Sequence, residues 1–81
     1  MELKELRSQI DKIDEELVKL FGKRMEICAA IGDYKVANNM PVFVPARERE
    51  KLLEVAQQAG PEMANYTRVL YSMLFELSRS Y

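Results

Sequence analysis

Eighty-one residues, 48% of them hydrophobic and 31% charged, make one small domain (residues 1–81) too apolar to be a disordered chain. A formal net charge of −1 provides no basic field for nucleic acid, and the lack of histidine beside a single cysteine argues against a zinc or haem site and excludes an internal disulfide. Apolar runs are only a few residues long and the acidic, patterned N-terminus lacks the layout of a signal peptide, so no membrane span is expected and the cytoplasm is the default location.

The first segment, Met1 to about Val36, organises the chain. Leu3, Leu6, Ile10, Ile13, Leu17, Leu20, Arg24, Ile27, Ile31 and Tyr34 follow one another at steps of three and four, the stripe of an amphipathic helix. At the rise of an α-helix this segment is about 50 Å long, too long for a chain of this size to cover by itself. A partner is implied. Acidic Glu2 and Glu5 suit the first turn, and Lys12–Glu16 and Glu15–Lys19 read as ion pairs on the outer face. Asp11 and Asp14 read as surface carboxylates. Cys28 lies on the side of Arg24 and Ile31 and reads as a small packing residue.

Arg24 breaks the stripe. A guanidinium at a core position must meet an anion or lie at a gap in the packing. Lys35, eleven residues on, falls on the same face to within about 20°. Arg7 lies seventeen residues earlier, about 100° round the helix and about 25 Å along it. One helix cannot easily bring Arg7 and Arg24 to the same small ligand. A second copy of the chain could supply Arg7.

Asn38, Asn39 and Pro41 end the first helix, and the run Pro41–Pro45 is non-helical. A second helix runs from Pro45, suited to its first position, to Ala59, with Leu52, Val55 and Ala56 as its buried side. Gly60 and Pro61 then separate it from a third helix, about Pro61 to Ser80. There Met63, Tyr66, Leu70, Met73 and Leu77 form the stripe, widened by Val69 and Leu74. The fold class is all-α: long, short and medium helices.

Arg47, Glu48 and Arg49 open the second helix, where the dipole favours an ionised Glu48. This corner also fits a solvated helix start, and Ser78 also fits a surface serine. Together with Arg24 and Lys35 they offer cations, a carboxylate and a hydroxyl. No Ser-His or Cys-His pair, metal cluster or phosphate-cradling glycine loop accompanies them. Such a set suits binding of a small polyanion and stabilisation of charge developing in a transition state, without a nucleophile or proton from the protein.

The ordered set Leu6-Arg7, Ile13-Asp14, Leu17, Arg24, Ile31-Gly32, Lys35, Pro41-Val42, Arg47-Glu48-Arg49 and Ser78 resembles the all-helical chorismate mutases over essentially the whole chain. The resemblance implies two chains interlocked as a homodimer around their long helices, converting chorismate to prephenate without a cofactor or metal, in aromatic amino-acid biosynthesis. It implies that Arg24 grips a substrate carboxylate within its own chain and that Arg7 reaches the partner's site. Lys35 would donate to the ether oxygen, Glu48 with Arg47 would flank the ring hydroxyl, and Ser78 would stand near the carboxylate side. Ile31, Leu52 and Leu74 are expected as apolar walls. Two departures stand out. Val44 occupies a position that is commonly acidic in the family, and a Gln or Glu four residues after Ser78 would fall at 82, past Tyr81. Loss of that donor would leave a weak mutase. Two alternatives accompany this reading: elimination of pyruvate from isochorismate, and a non-catalytic helical dimer or ligand-binding regulatory module.

Overall fold

The computed structural model describes residues 2–81. It contains three helices, α1 (Leu3–Ala37), α2 (Pro45–Ala59) and α3 (Ala64–Ser80), and no strand among the described residues. None of the helices is long and apolar enough to cross a membrane.

The end of α1 is set by Asn39, whose φ of 55° places it in the left-handed region that asparagine tolerates. Its N–H donates to Val36 O at 3.3 Å, and that of Met40 reaches back to Lys35 O at 2.8 Å. The pair closes a Schellman motif, and Asn38 Nδ2 adds a bond to Tyr34 O at 2.8 Å. These bonds satisfy carbonyls that the last turn would otherwise leave open, and they fold the 38–44 loop back along α1. Pro45 then starts α2 at its first turn.

Between α2 and α3 the structure differs from the sequence expectation. Gly60 turns at φ 84°, Met63 N–H bonds to Gly60 O at 3.2 Å, and the first bond of helical reach runs from Thr67 to Met63. Residues 61–63 are therefore a turn, and α3 begins at Ala64 rather than Pro61. The short link makes α2 and α3 an antiparallel hairpin.

The core lies in that hairpin. Val55, Ala56 and Phe75 are its buried hydrophobic residues, with Leu52, Tyr71 and Leu74 half-buried. The α3 face turned inward is the one carrying Ala64, Thr67, Tyr71, Leu74, Phe75 and Ser78. The expected stripe of Met63, Tyr66, Leu70, Met73 and Leu77 points outward and stays exposed. Helix α3 is apolar on two sides, and α2 takes the side with smaller residues.

Helix α1 buries nothing. Leu3, Leu6, Ile10, Ile13, Leu17 and Leu20 are all exposed, and only Arg24, Met25, Cys28, Gly32 and Lys35 are half-buried. The ion pairs Lys12–Glu16 and Glu15–Lys19 are not among those that close within 4 Å in the described residues. Fixing two long exposed side chains gains little over their hydration.

The resulting shape is drawn out, 55 × 26 × 17 Å. Its radius of gyration of 15.9 Å exceeds the roughly 12 Å of a compact domain of this length. Its accessible surface of 6915 Å² exceeds the about 5,000 Å² of a compact monomer of the same mass.

Candidate functional site

One open cleft, of about 550 Å³, lies where the C-terminal half of α1, the loop after it, the start of α2 and the end of α3 converge. That size suits a small organic ligand. Its charged lining is Arg24, Lys35, Arg47 and Arg79 against Asp33 and Glu48. Two positive charges are therefore in excess on a chain whose net charge is −1.

Arg24 is held from α3. Its Nη1 donates to Ser78 Oγ at 3.1 Å and lies 3.7 Å from Cys28 Sγ. Ser78 in turn donates to Leu74 O at 2.8 Å, so its hydroxyl proton is used and its lone pairs face the guanidinium. The oxygen also lies 3.8 Å from Met25 Sδ. The cation stands 5.5 Å from the ring centre of Tyr71 and 5.7 Å from that of Phe75. Those rings meet edge to face at 6.0 Å. No carboxylate pairs with Arg24 among the described residues. The arginine that breaks the apolar stripe is thus fixed by a neutral hydroxyl and two rings, and its charge is uncompensated.

Lys35 lies on the same side of α1 and also lines the cleft. Its Nζ makes a long contact of 3.4 Å to Val42 O, tethering it to the returning loop. Glu48, in the first turn of α2, faces the end of α3, where Arg79 Nη1 donates to its two carboxylate oxygens at 2.7 and 2.5 Å. Arg47 is more exposed and approaches Glu50 only at 4.0 Å.

Five of the six candidate residues, Arg24, Lys35, Arg47, Glu48 and Ser78, therefore line one cleft. Arg7 does not. It is exposed in the N-terminal half of α1, away from the cleft of its own chain. Of the expected apolar walls, Ile31 lines the cleft, whereas Leu52 and Leu74 do not. Val42, Phe43, Val44 and Phe75 take their place. The sequence reading missed Arg79 and the aromatic cradle of Arg24. The available signal for Arg79 was its place in the last turn of a helix antiparallel to the one that opens with Glu48.

The chorismate mutase type II family model matches residues 6–81. A bifunctional chorismate mutase/prephenate dehydratase of Aquifex aeolicus is 51% identical over 49 residues, covering 60% of this chain and 14% of that protein. The T-protein of Haemophilus influenzae is 46% identical over 46 residues, 57% of this chain and 12% of the relative. An intracellular chorismate mutase of Mycobacterium tuberculosis is 34% identical over 61 residues, 75% of this chain and 57% of the relative. The chain thus spans about one seventh or less of the first two proteins, and just over half of the third. No solved structure matches the chain.

Proposed function

The chain belongs to the chorismate mutase type II family, and on that premise we propose that it converts chorismate to prephenate in aromatic amino-acid biosynthesis. The observation that carries the proposal is Arg24: a half-buried guanidinium in a cationic cleft, braced by Ser78 and two rings, with no carboxylate of its own. Such a group receives a carboxylate of the substrate.

The rearrangement is intramolecular, so it needs neither a nucleophile nor a proton from the protein. It needs the folded conformer held and the developing charge met. Arg24 binds one carboxylate of the dianion. Arg7 of a second copy binds the other, because in its own chain it is far from the cleft. Lys35 donates to the ether oxygen, which gains negative charge as the C–O bond breaks ahead of C–C bond formation. Glu48, flanked by Arg47, accepts from the ring hydroxyl, and Phe43 and Phe75 exclude water from the ring.

A second copy also answers the bare stripe of α1. The surface in excess of a compact monomer is of the size that obligate dimers bury. The functional unit is therefore a dimer with two equivalent sites.

Chorismate consumption followed by ultraviolet absorbance, with product analysis and isochorismate as the parallel substrate, tests the reading. Arg24→Ala should lower kcat/KM by about 10²–10⁴-fold, the effect of removing one partner from a desolvated charge pair. Unchanged turnover in that variant would sink the assignment.

A further inference from the structure

We propose that Arg79 is a positioning residue: it aims the Glu48 carboxylate into the cleft and pins the 38–44 loop across the mouth, and so sets affinity for a hydroxyl-bearing ligand. The part concerning the ligand rests on the mutase reading; the latch itself does not.

Three segments meet at this one side chain. Arg79 ends α3, Glu48 begins α2, and Phe43 lies in the loop returning from α1. The Arg79 guanidinium engages both oxygens of Glu48 through one nitrogen, at 2.7 and 2.5 Å, while its carbon stands 5.0 Å from the Phe43 ring centre. All three residues line the cleft. Each charge also suits its own helix, an anion near the N-terminus of α2 and a cation in the last turn of α3, so the antiparallel hairpin brings complementary dipole ends together.

An ordinary exposed ion pair contributes little, because both side chains lose freedom to form it. This pair differs in two ways. The Glu48 side chain is only 27% exposed, and the Phe43 ring covers one face of the guanidinium. With both oxygens drawn toward Arg79, the carboxylate is held in one orientation, and its remaining lone pairs are left to accept from a ligand hydroxyl. The same contact draws down Phe43 beside Val42, the residue whose carbonyl meets Lys35. Arg79 thus acts through Glu48 and the loop rather than on the reacting bond. A contact made equally to substrate and transition state changes KM and leaves kcat nearly constant.

The test has two arms on the intact chain. In the first, without ligand, amide hydrogen exchange of residues 40–44 is compared among wild type, Arg79→Ala, Arg79→Lys, Glu48→Gln and the Arg79→Ala/Glu48→Gln double variant, with circular dichroism checking that each keeps its helices. The loop should exchange about 5–10-fold faster in both Arg79→Ala and Glu48→Gln, no faster still in the double variant, and Arg79→Lys should recover part of the protection. In the second arm, Arg79→Ala should raise KM for chorismate about tenfold with kcat within about twofold, as for a weakened charged hydrogen bond outside the reacting centre. In the Glu48→Gln background it should add nothing. Loop exchange unchanged by Arg79→Ala, or effects of the two substitutions that multiply, would overturn the latch. Wild-type chain that fails to consume chorismate, yet shows the exchange pattern, would count against the mutase reading alone.

Discussion

The two halves of α1 share one helix, one periodicity and one kind of side chain, yet they stand in different surroundings. From Arg24 to Lys35 the helix leans on α3, and residues on its inner face are half-buried, braced or tethered. From Leu3 to Phe21 every residue is exposed, including the six aliphatic residues of the stripe. The pattern of apolar positions states that a face must be covered. It does not state by whom. In the C-terminal half the chain's own fold covers only the side carrying Arg24, Met25, Cys28, Gly32 and Lys35, and leaves Ile27, Ile31 and Tyr34 exposed; in the N-terminal half no described residue covers the stripe. The candidate residues divide along the same line, since five gather in the cleft and Arg7 is left on the bare half.

The strongest way to break this contrast is to charge the bare stripe. Ile13 is 59% exposed in the single chain, where Ile13→Asp would cost little, within about 0.5 kcal/mol. If a second copy covers the stripe, the substitution buries an unpaired carboxylate and should cost several kcal/mol, on the order of 3. Sedimentation and thermal melting across a range of protein concentrations decide it. The variant should be monomeric or unfolded where wild type is a dimer, and the wild-type midpoint should rise with concentration. A wild-type chain that sediments as a monomer at micromolar concentration would remove the shared site.

Next in size is Arg7 itself. Arg7→Ala should lower kcat/KM about 100-fold if it meets a substrate carboxylate in the partner's cleft. Mixing Arg7→Ala with Arg24→Ala chains sharpens the comparison. Each heterodimer would carry one site with both arginines intact and one with neither, so mixing should restore activity that both parents lack. Failure to recover any activity after subunit exchange would mean that Arg7 and Arg24 do not serve one site across two chains.

This division also explains what the sequence disclosed. The long helix, the loop held between Asn38 and Pro45, and the anomaly of Arg24 were legible because each depends on local pattern: period, turn chemistry, or a charge at an apolar step. The face of α3 was not. It offers one side with Met63, Tyr66, Leu70, Met73 and Leu77 and another with Tyr71, Leu74 and Phe75, and periodicity favoured the longer row, which stays exposed. Which side meets α2 is decided by tertiary fit. Leu52 and Leu74 were expected as walls of the cleft and sit outside it. The Glu48–Arg79 contact joins residues 31 positions apart and becomes visible only once the hairpin is closed.

Within the covered half, Ser78→Ala isolates how firmly Arg24 is braced. The substitution removes the acceptor at 3.1 Å from the guanidinium and leaves Tyr71 and Phe75 in place. One hydrogen bond to a charged group, partly replaced by water in an open cleft, predicts a loss of about 5–10-fold in kcat/KM. A drop as large as that of Arg24→Ala would mean that Ser78 meets the substrate itself. No drop would mean that the aromatic cradle alone holds the cation.

The smallest effect concerns Val44, which lines the cleft and caps α2 at once. Its backbone is extended, φ −124° and ψ 94°, and the helix start has no side-chain cap. Pro45 has no N–H, so the donors an added cap could reach are those of Ala46 and Arg47, and Arg47 N–H already bonds to Val44 O at 3.0 Å. Val44→Asp supplies a carboxylate to this N-terminus, worth about 0.5–1 kcal/mol, and a melting temperature higher by a few degrees. The same carboxylate would stand beside Glu48 at the end of the cleft assigned to the ring hydroxyl, so KM should fall along with the gain in stability. The two readouts separate the roles of the position. Higher melting temperature with raised KM would show that Val44 serves the ligand as an apolar wall. Lowered KM with no stability gain would show that the new carboxylate turns into the cleft instead of capping the helix.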